Sequence, residues 1–148
     1  MPADDPPASS ASIELKIRPV RFDDLLLVKD LIHPFVEQGV LLPRTEGELL
    51  ELLPTSFVAQ DGERIVGFCA LEIYSVKLAE VRSLVVALDY RHHGLGRQLV
   101  DACVDLARRK NILEVMAITS NEQFFKLCGF DFTLPGEKKA LFIQTRPN

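Results

Sequence analysis

Apolar and polar positions change rhythm several times along this chain, and each change marks an element. Ile13, Leu15 and Ile17 alternate with Glu14, Lys16 and Arg18, the period of a half-buried strand. At Arg21-Phe22-Asp23-Asp24 the alternation stops, and an aspartate entry opens a helix carrying Leu26, Leu27 and Leu31. Pro34 follows, so this helix is expected to end or kink near His33. Val40 to Arg44 reads as an extended link. Thr45, with Glu48 behind it in capping-box spacing, starts a second helix whose apolar residues are Leu49, Leu50, Leu52 and Leu53, with Pro54 as its stop.

Ser56 to Gln60 then reads as a strand, Asp61-Gly62 as a hairpin turn, Ile65 to Tyr74 as the returning strand and Leu78 to Val86 as a third long strand. After a short loop, Leu95, Leu99, Cys103 and Leu106 recur at helical spacing. Glu114 to Ile118 is expected to be a short buried strand. Asn121 to Leu127 is expected to be a short helix capped by Asn121. Phe130 to Phe132 and Leu141 to Thr145 are expected to be the last two strands, joined by the loop Pro135 to Lys139. There are no internal repeats. The order β-α-α-β-β-β-α-β-α-β-β describes an α+β fold: a mixed, mostly antiparallel central sheet covered by helices. Residues 1–12, rich in Pro, Ala, Ser and Asp and without apolar periodicity, are expected to be a disordered tail before one domain at 13–148.

Composition narrows the function classes. A chain of 148 residues with 47% hydrophobic and 26% charged residues can bury the core of one soluble domain. A net charge of −4 leaves no electrostatic footprint for nucleic acid. No apolar run reaches the ~18 residues of a membrane span. No basic start precedes an apolar stretch, so the cytoplasm is the expected location. The cysteines Cys69, Cys103 and Cys128 follow no metal or disulfide spacing and read as reduced, packed thiols.

The chemistry centres on Leu84-Val85-Val86 and the following Tyr90-Arg91-His92-His93-Gly94-Leu95-Gly96-Arg97. A strand ends, a glycine-bearing loop turns and a helix begins. The first N–H groups of a helix lack partners within it, and the dipole there is positive. Glycines let a bulky anion approach that backbone, so the loop suits a phosphate or pyrophosphate. Read blandly, the glycines only make the turn. The spacing Arg-x-x-Gly-x-Gly is neither the P-loop nor the dinucleotide fingerprint. It resembles the acyl-CoA pyrophosphate loop of the GCN5-related N-acetyltransferases. Asn121-Glu122-Gln123-Phe124-Phe125-Lys126-Leu127-Cys128-Gly129-Phe130 is similar to that family's helix ending in Gly-Phe. The element order agrees, and the resemblance spans Ile13 to Arg146.

The resemblance implies acetyl-CoA as cofactor and an amine as acceptor, with no metal. It places the backbone of Arg91, His92, His93, Gly94, Leu95 and Gly96 around the pyrophosphate, with charge from Arg97 or Arg91. Leu84, Val85 and Val86, then Asn121 and Phe124, complete the cofactor set. A backbone N–H at Leu84 or Val85 would face the developing oxyanion, freed where the family's strand splays from its neighbour. Glu80, at the head of the central strand, would be the general base acting through water, with Glu72 as second choice. Many members carry Phe-Tyr where this chain has Phe124-Phe125, so the usual acid is missing. Ser120 would substitute, or the thiolate leaves unprotonated, since thiols titrate near ~8.5. His92, His93 and His33 read as structural.

One branch is more similar still. Leu31-Ile32-His33-Pro34-Phe35-Val36-Glu37-Gln38-Gly39-Val40-Leu41-Leu42-Pro43-Arg44 resembles a run in the transferase domain of the N-acetylglutamate synthases, which also lacks the tyrosine acid. That likeness implies L-glutamate as acceptor and a place in arginine biosynthesis. Arg44 and Arg146, the latter in the basic stretch from Lys139, would hold the side-chain carboxylate, since guanidinium forks bind carboxylates in bidentate fashion. Backbone near Leu42, with Ser83, would receive the α-carboxylate. The long synthases place a kinase-like domain before the transferase, so this chain is expected to be a short, stand-alone form. Two other readings stay open: an acetyltransferase for another small amine or peptide, and a non-catalytic acyl-CoA-binding regulatory domain. A homodimer is also left open.

Overall fold

The computed structural model describes residues 14–132, 136 and 140–147. The tail at 1–12, Ile13, and the loop residues 133–135 and 137–139, Lys139 among them, lie outside the described residues. The chain divides after Ile118 into two compact units.

The first unit is built on one sheet of five strands in the order β1-β2-β3-β4-β5: β1 (Leu15–Pro19), β2 (Ser56–Asp61), β3 (Arg64–Ser75), β4 (Leu78–Val86) and β5 (Glu114–Met116). β1 to β4 are antiparallel neighbours, and β5 adds in parallel. Three helices cover it: α1 (Leu25–Glu37), α2 (Glu46–Leu52) and α3 (Leu95–Arg109). Side chains along a strand alternate between faces, and here both faces are used. Phe68, Ala70 and Val85 join Leu25, Val28, Phe35, Leu49 and Leu52 in one cluster under α1 and α2. On the opposite face α3 buries Leu95, Leu99, Val100 and Cys103. It rides so close to β3 that a Cβ at Gly67 would stand 2.9 Å from a Leu99 methyl and 3.1 Å from the Ala59 Cβ. The three long strands and α3 therefore follow the sequence pattern closely.

Four expectations are corrected. The first helix does not end at Pro34 but runs through it to Glu37. Pro34 is on the exposed face, so the carbonyl it leaves unbonded meets water, while Phe35 just beyond is buried in the core cluster. Arg18 is not a solvated strand residue: it is 8% exposed and lies against Asp24, Gln60 and the Pro19 carbonyl. The short strand that begins at Glu114 stops at Met116 rather than Ile118. The two closing strands, Phe130–Phe132 and Leu141–Thr145, are not strands among the described residues. Their apolar, aromatic character suits a strand, but a strand also needs a neighbour to take its backbone hydrogen bonds, and Leu141, Phe142 and Ile143 stay exposed.

The second unit contains α4 (Glu122–Leu127). The Asn121 side-chain oxygen accepts from the Phe124 N–H at 3.2 Å, the cap expected from the sequence. Phe124 and Phe130 both meet the Phe125 ring edge-on, with centroids 5.0 and 5.3 Å apart.

Candidate active site

β4 carries the site because its geometry is interrupted there. Against β3, Phe68 faces Val85 and Ala70 faces Arg82, so β4 holds one residue more than β3 between those pairs. That extra residue makes a bulge. Ser83 lies in it with φ at 58°, a left-handed conformation that a serine adopts only under constraint from its surroundings. On its other side β4 pairs with β5 only from Leu78 to Glu80. From Val81 onward no described strand takes up the free edge of β4. The family resemblance implies a splay at this point, with a backbone N–H at Leu84 or Val85 turned to a ligand.

Just before the bulge sits a cluster of ionisable groups. Glu72 and Glu80 face each other directly across β3 and β4. Two carboxylates so placed repel. Tyr74 and Arg82, each two residues along from one of them, offset that repulsion. The Tyr74 hydroxyl donates to Glu80 Oε1 at 2.5 Å and lies 3.2 Å from Glu72 Oε2. Arg82 Nη1 donates to Glu72 Oε2 at 2.6 Å, and its Nε is 3.9 Å from Glu80 Oε2. Glu80 is buried, at 7% exposure, whereas Tyr74 is half exposed. Burial works against the Glu72 charge, but the Arg82 hydrogen bond and charge prevail and hold its carboxyl below the usual range. Partial burial, followed by the Glu80 hydrogen bond, pushes the Tyr74 phenol up to about 12.

The Tyr90 phenol is also raised, chiefly by its hydrogen bond to Asp61. These are the only two tyrosines, and the chain has no tryptophan, so phenolate absorbance reads them cleanly. The native protein is expected to show no phenolate step at the ordinary ~10, and both steps should fall back there in denaturant. A native step near ~10 would contradict the hydrogen bond of whichever tyrosine gives it, which Tyr74→Phe identifies. Because both phenols are raised on folding, their contribution to stability is complete below ~10 and is lost as pH climbs through the folded values.

Beside this cluster a cleft of about 590 Å³ opens under the α1–α2 connection, lined by Leu42, Arg44, Glu48, Glu51, Glu72 and Arg82 among others. Thr45 starts α2 by accepting the Glu48 N–H, which fixes the residue before it. Arg44 Nε donates to Ser83 Oγ at 2.9 Å, tying the connection to the bulge. Its guanidinium forms no ion pair with a described carboxylate. Burial and the neighbouring Arg82 charge lower its pKa, against the opposing pull of the Glu72, Glu48 and Glu80 charges.

At the far end of β4, the turn Leu88–Tyr90 is braced to the β2–β3 hairpin. Arg64 grips Asp89 with bonds of 2.7 and 3.2 Å, its guanidinium lies 5.2 Å from the Tyr90 ring centroid, and the Tyr90 hydroxyl donates to Asp61. Arg91 follows directly. His92 has φ at 70°, and Gly94, at φ 74°, is the residue that opens α3. No side chain caps α3, and a Cβ at Gly94 would meet nothing within 4 Å. An uncapped helix start behind an open loop fits the phosphates of a coenzyme A. Arg91, His92, His93 and Arg97 are exposed there, while the Leu95 side chain is core and only its backbone is available.

The structure thus brings Leu42 and Arg44 to one cleft with Glu72, with Ser83 bonded to Arg44 behind it and Glu80 opposite Glu72 across the ladder. Ser120, Asn121, Phe124 and Arg146 belong to the second unit. There Ser120 is exposed, and Arg146 donates to Gln144 at 3.2 Å. Sequence reasoning missed Tyr74 and Arg82. Counting did not reach them: Ser75 opposite Leu78 would put Ile73 opposite Glu80, and a bulge between Ile73 and Ser75 shifts the ladder by one so that Glu72 faces Glu80.

Residues 26–130 match the Acetyltransferase (GNAT) family. An uncharacterized N-acetyltransferase from Chlorobaculum tepidum is 32% identical over 114 residues, 77% of this chain and 74% of that protein. An amino-acid acetyltransferase from Vibrio atlanticus is 28% identical over 138 residues, 88% of this chain but only 31% of its own length. The structure of N-acetylglutamate synthase from Neisseria gonorrhoeae, complexed with coenzyme A and N-acetyl-glutamate, superimposes with a TM-score of 0.70 at 25% identity, over 77% of this chain and 27% of that one. This chain belongs to the GNAT acetyltransferase family. Within it, the protein is an acetyl-CoA-dependent N-acetyltransferase.

Proposed function

We propose that the protein acetylates the α-amine of an amino acid, with L-glutamate as the acceptor. The observation that carries this is Arg44: a partly buried guanidinium without a carboxylate partner among the described residues, facing the cleft and anchored to Ser83 at the bulge. It gives a substrate carboxylate a fixed cation beside Glu80. The amino-acid acetyltransferase relative and the N-acetylglutamate synthase neighbour support the same class.

Acetyl-CoA supplies the activated acyl group. The chain supplies the rest. Backbone N–H groups from Arg91 to Gly96, with Arg97 or Arg91, hold the phosphates. A backbone N–H at Leu84 or Val85 meets the negative charge that develops on the acyl oxygen, a kind of contact worth about 3–4 kcal/mol. Glu80 takes the proton from the acceptor ammonium, which titrates near ~10 and cannot attack while protonated. Ser120 is the candidate acid, Asn121 and Phe124 complete the cofactor set, and Arg146 is the second carboxylate partner. Residues 13–148 act as the catalytic domain, in the cytoplasm.

The test is release of free thiol from acetyl-CoA against a panel of glutamate, glutamine, aspartate and ornithine. Glutamate should lead. Arg44→Ala should raise the glutamate KM about 10- to 100-fold, the equivalent of a charge-assisted hydrogen bond of ~1.5–3 kcal/mol, with coenzyme A affinity unchanged. An unchanged KM would remove Arg44 from the acceptor site. A second reading rests on the cleft's own charge, since Glu48, Glu51 and Glu72 outnumber Arg44 and Arg82. That excess favours an acceptor with an additional positive group, and a lead for ornithine in the same panel would select it. Coenzyme A binding with no turnover on any amine would select the regulatory domain.

A further inference from the structure

Glu72, Tyr74 and Glu80 form a continuous row of oxygens, of which the proposed mechanism uses only Glu80. The row starts at a buried carboxylate and ends at one that lines the open cleft, with 30% of its side chain exposed. Its separations are 2.5 Å from Glu80 Oε1 to Tyr74 Oη and 3.2 Å from Tyr74 Oη to Glu72 Oε2. A phenol has one proton to donate and a lone pair to accept with, so between two carboxylates it can serve only one at a time. Like charges opposite each other across a ladder are destabilising, and here Tyr74 and Arg82 offset that cost.

We infer that Tyr74 relays the proton collected by Glu80 to Glu72, and so resets the base after each turnover. The inference rests on Glu80 being the base. The steps balance without a phenolate or any co-reactant. The acceptor ammonium gives its proton to the Glu80 carboxylate. The Tyr74 hydroxyl then turns from Glu80 to Glu72 Oε2, and the Glu80 O–H donates to Tyr74 Oη. The Glu80–H bond breaks as a new Oη–H bond forms, and the original Tyr74 proton moves to Glu72. Glu72 passes it to water. Tyr74 ends with one proton, again directed at Glu80, and Glu80 is an anion once more. Arg82, 2.6 Å from Glu72 Oε2, holds the exit carboxylate in place and keeps it too acidic to retain the proton.

The experiment measures kcat and both KM values for Tyr74→Phe, Glu72→Gln, the double variant and Glu80→Gln. Phenylalanine keeps the half-exposed ring but gives up the hydroxyl bonded to Glu80, so a modest fall in Tm is expected for Tyr74→Phe, whereas glutamine keeps an oxygen for Arg82; kcat is read well below the Tm of every variant. The relay predicts that Tyr74→Phe and Glu72→Gln each lower kcat about 10-fold or more, with KM for amine and acetyl-CoA within about two-fold. A chain is broken only once, so the double variant should be no slower than the slower single one. Wild-type kcat in Tyr74→Phe, or losses that multiply in the double variant, would overturn the relay. So would a loss carried by KM. Wild-type kcat in Glu80→Gln would instead overturn the base assignment beneath it.

Discussion

Glu80→Gln is expected to lower kcat about 100- to 10,000-fold, the range over which a positioned general base contributes, while coenzyme A still binds. The substitution is nearly isosteric. The new side-chain amide would keep an oxygen for the Tyr74 hydroxyl, so the β3–β4 hairpin should hold and the loss should be chemical. What disappears is the ability to take a proton from the ammonium. The position supports the effect: Glu80 is the last β4 residue paired with β5, next to the point where the two strands part. It is buried at 7% exposure, which keeps its interactions from being diluted by water. The check is steady-state kinetics with glutamate, together with a thermal-shift titration by coenzyme A. A kcat within about three-fold of wild type would remove Glu80 as the base and turn attention to Glu72 across the ladder.

The parts of this fold legible in the sequence are those where burial enforces a period. Leu78 to Val86 and the stripe Leu95, Leu99, Cys103 read directly because each has a face that must be covered. Asn121 and Thr45 were legible as caps because their side-chain oxygens answer a local need of the helix start. Pro34 misled because the local rule was outweighed by Phe35, whose burial lies beyond it. The bulge at Ser83 was not legible, since a left-handed serine breaks no hydrophobic pattern and only the register against β3 exposes it. The site mixes both kinds of information. Glu80, Arg44 and Ser83 came from family resemblance, and a hydrogen bond joins Arg44 to Ser83 across 39 residues of sequence. Tyr74 and Arg82 fell through because each is an ordinary strand residue on its own. Only the pairing of Glu72 with Glu80 makes them necessary. Closing strands at Phe130–Phe132 and Leu141–Thr145 failed for the opposite reason: propensity is local, but a sheet is not.

The other large effect is expected far from the chemistry, at Arg18 and Asp24. The guanidinium binds both oxygens of the carboxylate, at 2.7 and 2.9 Å, and the pair is buried, with side chains 8% and 9% exposed. Asp24 Oδ2 also accepts the Arg21 N–H at 2.7 Å, and Arg18 Nε donates to Gln60 at 2.6 Å. The network pins the turn that launches α1 to β1 and β2, and α1 leads into the connection bearing Leu42 and Arg44. Asp24→Ala should cost about 3–5 kcal/mol, because it strands a buried guanidinium; Arg18→Ala should cost a similar amount by stranding the carboxylate. Replacing both with apolar residues, Arg18→Met with Asp24→Leu, should recover most of the loss, since no uncompensated charge is then buried. Denaturant unfolding of the four proteins measures this. Two single costs that simply add in the double variant would mean that the ion pair is not a coupled unit. Acid provides an independent reading. The Arg18 hydrogen bond holds the Asp24 carboxyl below its ordinary range, so its contribution is complete above the unfolded value of ~3.9 and is lost as pH falls through the folded value. The wild type should therefore lose stability in that acid window, and the Arg18→Met/Asp24→Leu protein should lose less.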